Sequence, residues 1–533
     1  MDQKYYFSLQ YSAIQKTILR HDRLWSMAGI SALLSELNEI IMPQITHENN
    51  GQVFVAGGGK YTGIFNTWQD AENTKNMILE RISINFPMLE FQYLHRIMGA
   101  GSLKEIREEL IGELRRQKTE FRGYGVSFNP HVKMCAECNE YPAVEETRHE
   151  KSVCRFCSSA GQAARIDLSR IFSHSKNNQA ASCLTTMEQI YGQYFNLLKQ
   201  DNGIVEEDFA NMKVPYNFEN LADRQKNNFT DGDQGKEGQR MAVWFSDINN
   251  MNTKVPIWFD QDEESVFKIF TRVKDIFIQV TARALAKTFN RLESVHLPFR
   301  IIIAGGDDLC LAMDAGYILE FAVNMSEAFL SERNRIQNDD DDYLNPVWLN
   351  RNRRPSPDQR PIKPYSFGSS FVITDIHTPF KLIHETGEAL MSEAKHLTDR
   401  MDNSINWRIM ADDNSETDQI HRFEKPLFIG EIPPISEADS ISWEKLSLNG
   451  YIRLLNSCSS LSFSHMYQIV KKIKESHYDA VRVETWLKGL DTSATEKSLS
   501  NILQEPCFRT KDNRLNLERI TTAFELLTIK RSI

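Results

Sequence analysis

Two adjacent carboxylates behind two glycines, Gly305, Gly306, Asp307 and Asp308 in RIIIAGGDDLCLAMD (300–314), are the residues of this chain best suited to phosphate chemistry. The aliphatic runs on either side read as strands and the four residues as a hairpin tip. A plain turn would use the same residue types. Glycine, however, permits positive φ and leaves the backbone bare, so a bulky phosphate can come close. Aspartates are hard oxygen donors suited to Mg²⁺ or Mn²⁺. This reading requires a third carboxylate from a neighbouring strand. MAVWFSDINNMN (241–252) supplies it as a buried strand ending on Asp247 just before a polar turn. Two divalent ions held by such a trio can clamp the attacking and leaving oxygens of an in-line phosphoryl displacement.

The elements that must position these residues follow from hydrophobic spacing. Between Asp247 and the hairpin, Val266, Ile269, Phe270, Val273, Ile276, Phe277 and Val280 recur at helical intervals. After the hairpin come a helical stretch (AGYILEFAVNMSEAFLSE), a strand (YSFGSSFVITDIH) and a helix (PFKLIHETGEALMSEAKHL). The order βαββαβ predicts a ferredoxin-like sheet, the palm of nucleotide polymerases and cyclases, in which the first strand ends beside the hairpin tip. Lys395, near the end of the last helix, falls where a cation could meet a triphosphate; an exposed helix lysine is the alternative.

The N-terminal hundred residues repeat this plan in weakened form. YYFSLQYSAIQKTIL reads as strand then helix, LWSMAGISALLSELNEII as an apolar helix, and QVFVAGGGKYTGIF (52–65) as strand, glycine turn and strand. Here GGGK replaces the carboxylates, so this copy cannot hold the metals. Gly57, Gly58, Gly59 and Lys60 could cradle phosphates through backbone amides and a cation, or form a plain hairpin. Between the two copies, Cys135, Cys138, Cys154 and Cys157 make C-x2-C-x15-C-x2-C, the spacing of a closed, structural Zn²⁺ ribbon. Cys183, Cys310, Cys458 and Cys507 are isolated and read as reduced thiols.

Composition bounds the rest. With 72 acidic and 62 basic residues the net charge is −10, so overall charge does not advertise nucleic-acid binding, although a local basic groove can still form. No run of eighteen apolar residues and no basic-then-apolar leader is visible, which leads us to expect a cytoplasmic protein with no membrane partner. The stretch 333–364, with four consecutive aspartates, reads as a charged insertion whose acidic run is solvated and mobile.

Taken together, a glycine hairpin in one palm, a four-cysteine element and GGDD in a second palm give a chain that resembles the large polymerase-cyclase subunit of type III CRISPR effector complexes. AIQKTILRHDRLWSMAGISALLSEL is similar to that family's first-palm signature, and FGSSFVITDIHTPFKLIHETGEALMSEAK with NSINWRIM (403–410) to its second-palm closing segments. The resemblance runs from about residue 5 to 430. It implies an α+β chain in which 1–110 form a degenerate first palm and 111–238 a helical region with the zinc ribbon at 130–160. Residues 239–430 would form the catalytic second palm and 431–533 a C-terminal helical domain.

The resemblance further implies a nucleotidyltransferase that converts ATP to cyclic oligoadenylates when target RNA is bound. Its partners would be the other subunits, a guide RNA and the target RNA. On that match Asp247, Asp307 and Asp308 would be catalytic and bind Mg²⁺, and Gly57, Gly58 and Gly59 would be the family's first-palm hairpin; Gly305, Gly306, Lys395 and Lys60, on the residue reading above, would contact nucleotide with them. Many members of that family begin with a histidine-aspartate nuclease domain. This chain enters its first palm strand at once, and His21-Asp22 lacks the upstream histidines such a nuclease needs. Two other functions fit the motifs: a stand-alone cyclase making another cyclic nucleotide, and a scaffold that keeps the palms to organise RNA-binding subunits.

Overall fold

Strand β1 (Lys4–Tyr11) buries Phe7, Leu9 and Tyr11 on one face, the period of two expected of a sheet covered by helices. A computed structural model describes residues 4–11, 14–19, 23–57, 59–86, 91–98, 132–139, 141–146, 152–175, 183–204 and 212–221. It continues with 240–258, 263–291, 295–346, 365–398, 402–410 and 427–428, and includes isolated residues elsewhere. After β1 come α1 (Ile14–Ile18), α2 (Leu24–Glu36), a π-turn (Leu37–Ile41) and α3 (Met42–Glu48). The hairpin β2 (Gln52–Gly57) and β3 (Lys60–Phe65), helix α4 (Trp68–Asn85) and β4 (Phe91–Met98) complete the unit. The spatial order β2-β3-β1-β4, antiparallel throughout, is the ferredoxin-like order.

The second sheet has the same core order. Strand β7 (Arg240–Ile248) lies between β9 (Asp308–Asp314) and β10 (Phe367–Asp375), and β8 (Phe299–Gly305) pairs outside β9. Strand β11 (Ser404–Ile409) runs parallel to β10, and β12 (Leu427–Phe428) closes that edge. The long helix α9 (Glu263–Thr288), preceded by the short α8 (Met251–Trp258), and α10 (Ile318–Asn338) cover one face of the sheet. Helix α11 (Phe380–Leu397) joins the core on the other face. Alternation along β7 explains how the layers divide. Trp244 and Ala242 enter the core beneath α9 and α10, whereas Met241, Val243 and Phe245 enter the core shared with Phe7, Leu9 and Met27 of the first unit. Asp247 has the odd register and so faces the junction between the units.

Between the sheets in sequence, β5 (Glu145–Glu146) and β6 (Ser152–Val153) form a small ribbon, followed by α5 (Arg155–Ala163), α6 (Leu168–Ser175) and α7 (Thr186–Asn202). Residues 222–239, before Arg240, lie outside the described residues, as does nearly all of 431–533, where a helical domain was expected. Of the insertion expected at 333–364, residues 350–364 lie outside the described residues, and the acidic run expected to be solvated is so only in part. Helix α10 continues to Asn338, and Asp342 is buried, accepting a hydrogen bond from Arg272 Nε at 3.0 Å. Arg272 also reaches Glu332 at 2.6 Å, so part of the acidic run is claimed by a buried ion-pair network. Asp339, Asp340 and Asp341 are exposed.

Candidate active site

The strand register sets the site. Gly305 pairs with Asp308, Asp308 with Asp247, and Asp247 with Gly368, so two carboxylates sit in one cross-strand row with a glycine at each end. Residues directly opposite on neighbouring strands point to the same face. Asp307 joins them from the tip, where Gly306 takes a left-handed φ of 65° that the tight turn requires. The Ile248 N–H donates to the Asp307 carbonyl at 3.2 Å and ties the tip to the end of β7. One carboxylate oxygen of each of Asp247, Asp307 and Asp308 lies within 4.8 Å of the others. The buried Oδ1 of Asp247 has no hydrogen-bond partner among the described residues. Three oxygen donors, one of them buried and unsatisfied, suit a hard divalent cation.

The electrostatics agree with that fit. Burial, reinforced by the charge of Asp247, pushes the Asp307 carboxyl up to about 7. Asp308 opens to the cleft, yet packing around its carboxyl and the charges of Asp307 and Asp247 push it up too. For so exposed a group the adjacent charges are the firmer cause. Lys395 is not the surface lysine that helix preference allows. It is 6% exposed, and its Nζ forms an ion pair with Asp247 Oδ2.

Both glycine hairpins line one cleft: Tyr11, Asn38 and Gly59 from the first unit face Gly305, Asp308, His384 and Glu388 from the second. The register of the first unit mirrors that of the second. Lys60 pairs with Gly57 and with Gln10, so Lys60 stands where the second unit has Asp308, and Gln10 where it has Asp247. Gly57 and Gly59 take positive φ, while Gly58 lies outside the described residues. Several cleft residues carry no motif and escape sequence reading. Asn38 is 3% exposed with its Oδ1 unpartnered among the described residues. His384 lies 3.8 Å from Glu388, and burial lowers the histidine and raises the glutamate. Glu39 accepts from the N–H and hydroxyl of Thr186 at 3.0 and 2.6 Å and from Lys274 at 2.7 Å. A helical spacing could have placed Asn38 and Glu39 on neighbouring faces, but not identified their partners.

The four cysteines also converge. The Sγ atoms of Cys135, Cys138, Cys154 and Cys157 lie within 4.8 Å of one another, and the Cys138–Cys154 separation is 3.9 Å. A tetrahedral ion with metal–sulfur bonds of ~2.3 Å separates its sulfurs by ~3.8 Å, so the donor set and spacing fit zinc. The hydrogen bond from Cys138 is the main cause that pushes Cys154 up to about 12, a sign that the cluster as bare protein resists becoming thiolate.

Two ferredoxin-like sheets that share a core and face each other across an acid-lined cleft define the class of fold. Among solved structures, the chain has the fold of Csm1. The Csm1-Csm4 subcomplex of the type III-A CRISPR-Csm interference complex superposes with a TM-score of 0.53 at 12% identity, covering 99% of this chain and 70% of that one. A Csm1-Csm4 cassette in complex with pppApA gives 0.52 at 12% identity (99% and 69%), and one in complex with cA3 gives 0.51 at 12% (99% and 70%). No known protein-family model and no curated protein matches the chain.

Proposed function

We propose that this chain is the nucleotidyltransferase subunit of a type III CRISPR effector complex, converting ATP to cyclic oligoadenylates when target RNA is bound. The observation that carries the reading is the glycine-flanked row of Asp308 and Asp247, with Asp307 beside it, opening on a cleft that a second glycine hairpin also lines. Binding of pppApA and cA3 by structures of the same fold supports adenylate as the substrate class. The chemistry is attack of a ribose 3′-hydroxyl on an α-phosphate with departure of pyrophosphate.

Asp247, Asp307 and Asp308 would hold divalent magnesium, which supplies charge neutralisation at the reacting phosphate. This chain's own part is positioning. The bare backbone at Gly305, where an added Cβ would meet nothing within 4 Å, lets a nucleotide lie against the strand end. Lys395 supplies a cation for a triphosphate, and Gly57, Gly58, Gly59 and Lys60 hold the second nucleotide across the cleft. Bringing two nucleotides together in this way supplies the orientation that a bimolecular reaction in water lacks. Residues 1–110 then present one nucleotide, 239–430 catalyse, and the intervening region with its zinc ribbon braces the pair. A Csm4-like subunit, guide RNA and target RNA are the proposed partners, consistent with the Csm1-Csm4 pairing in the type III-A structure. No helix among the described residues is long and apolar enough to cross a membrane, and the proposed setting is the cytoplasm.

Incubating the purified chain with each nucleotide, alone and with partner subunits, guide and target RNA, tests the proposal. Cyclic oligoadenylate from ATP, dependent on RNA and lost in an Asp307→Ala/Asp308→Ala variant, is the expected result. A cyclic product from another nucleotide without RNA would favour a stand-alone cyclase. No product under any condition would leave a scaffold.

A further inference from the structure

We propose that Lys395 and Gly368 form a charge-exchange device on Asp247: without nucleotide, Lys395 takes the carboxylate that a metal ion needs, and an incoming triphosphate draws it off. Metal and nucleotide would then enter together. This inference rests on the reading of the cleft as a nucleotide site.

The two glycines that end the row behave differently. At Gly305 an added Cβ would meet nothing within 4 Å, so that end is open for substrate. At Gly368 the space is filled: an added Cβ would lie 2.9 Å from Lys395 Cε and 3.1 Å from its Cδ. The lysine stem therefore crosses β10 directly over residue 368 on its way from α11 to Asp247. Any side chain at 368 would displace it, which makes Gly368 a positioning residue. The lysine is 6% exposed and pairs with Asp247 Oδ2.

A permanent structural ion pair at this depth is expected to satisfy both carboxylate oxygens, because an unpartnered buried oxygen keeps its full desolvation cost. Here Oδ1 of Asp247 is buried with no partner among the described residues. Lys395 pairs with one of three carboxylates whose donor atoms all lie within 4.8 Å of one another, and it competes with a divalent ion for that carboxylate. A triphosphate beside Gly305 offers the lysine a more negative partner while bringing its own metal. By linkage, whatever removes the lysine from Asp247 must tighten metal binding, and metal must favour the nucleotide-bound position.

Mn²⁺ binding to the full-length chain, followed by electron paramagnetic resonance with and without a non-hydrolysable α,β-methylene ATP, tests this directly. The wild type is expected to bind Mn²⁺ weakly alone and about tenfold more tightly with the analogue, a typical coupling strength. Lys395→Met is expected to bind Mn²⁺ about tenfold more tightly without nucleotide and to gain little from the analogue, since the competing charge is gone. Gly368→Ala, which moves the lysine without deleting it, should shift in the same direction. Lys395→Arg, if it restores the pair, should return wild-type behaviour. Asp307→Asn/Asp308→Asn serves as the control that the signal arises at this site. Should Lys395→Met fail to fold, Gly368→Ala decides. Unchanged or weaker nucleotide-free Mn²⁺ affinity in the folded variants overturns the exchange. A wild type that shows the exchange yet makes no oligoadenylate with RNA overturns the proposed function instead.

Discussion

Asp307 shows how burial beside a second carboxylate acts on stability at a single residue. Its folded carboxyl titrates at about 7, above the value of ~4 for an unfolded aspartate. Between those two pH values the folded chain holds a proton that the unfolded chain has lost, so stability falls as pH rises, and the cost is complete above about 7. Asp307→Asn should therefore melt higher than the wild type at pH 8 without added divalent cation, by about 2 °C on general scaling, and match it near pH 4. The same variant should make no product. A protonated Asp307 also competes with metal, so Mg²⁺ affinity should weaken as pH drops below 7, a trend isothermal titration at pH 6 and 8 would show. The convergence of the three aspartates was legible in the sequence because the βαββαβ order sets the end of the first strand beside the hairpin tip. The ion pair of Lys395 was not legible, since 148 residues separate it from Asp247 and no local pattern records a contact across a sheet.

At the scale of elements, the two hairpins and the cysteine ribbon show what periodicity can and cannot place. Apolar alternation beside glycine was enough to mark both hairpins, and the observed register now aligns Lys60 with Asp308. The exposed cation at that position should hold phosphate rather than metal. Lys60→Ala is thus expected to raise the nucleotide concentration needed for half-maximal rate several-fold while changing the chemical step little, as removal of uniform binding does. Steady-state kinetics with varied ATP reads the split. Spacing alone marked Cys135, Cys138, Cys154 and Cys157, because a tetrahedral thiolate site needs two paired knuckles. One zinc per chain is expected from elemental analysis. Cys154→Ser should lose it and make the 130–160 ribbon protease-sensitive, since two two-residue strands bury too little without metal. The acidic run near 340 misleads in sequence for a related reason. Asp342 looks like its solvated neighbours until Arg272, some 70 residues away, folds onto it.

At the scale of the molecule, the region between the sheets acts as a brace whose contacts end at the cleft. Helix α5, which begins at the cysteine cluster, packs so closely on α2 that a Cβ at Gly29 would clash with the Ala160 carbonyl. The C-terminal end of α5 is held by Arg300 of the second sheet, fully buried and donating to the Ala164 carbonyl at 2.9 Å. Beside the cleft, Glu39 on the π-turn joins the N-terminus of α7 through Thr186 and the long helix α9 through Lys274. One carboxylate, its side chain 6% exposed, thus fastens three parts of the chain one residue away from cleft-lining Asn38. A carboxylate at a helix N-terminus and against a lysine is favourable on both counts. Glu39→Ala should lower folding stability by about 2 kcal/mol, the usual worth of hydrogen bonds to a charged group. Because Asn38 would lose its fixed backbone, ATP affinity should fall by several-fold while residual turnover at saturating ATP survives. Denaturant unfolding and ATP-dependent rates measured on the same preparation decide the matter. Lost stability with unchanged ATP dependence would make Glu39 a fastening of the fold alone. A shift in both would show that the cleft takes its shape from the brace.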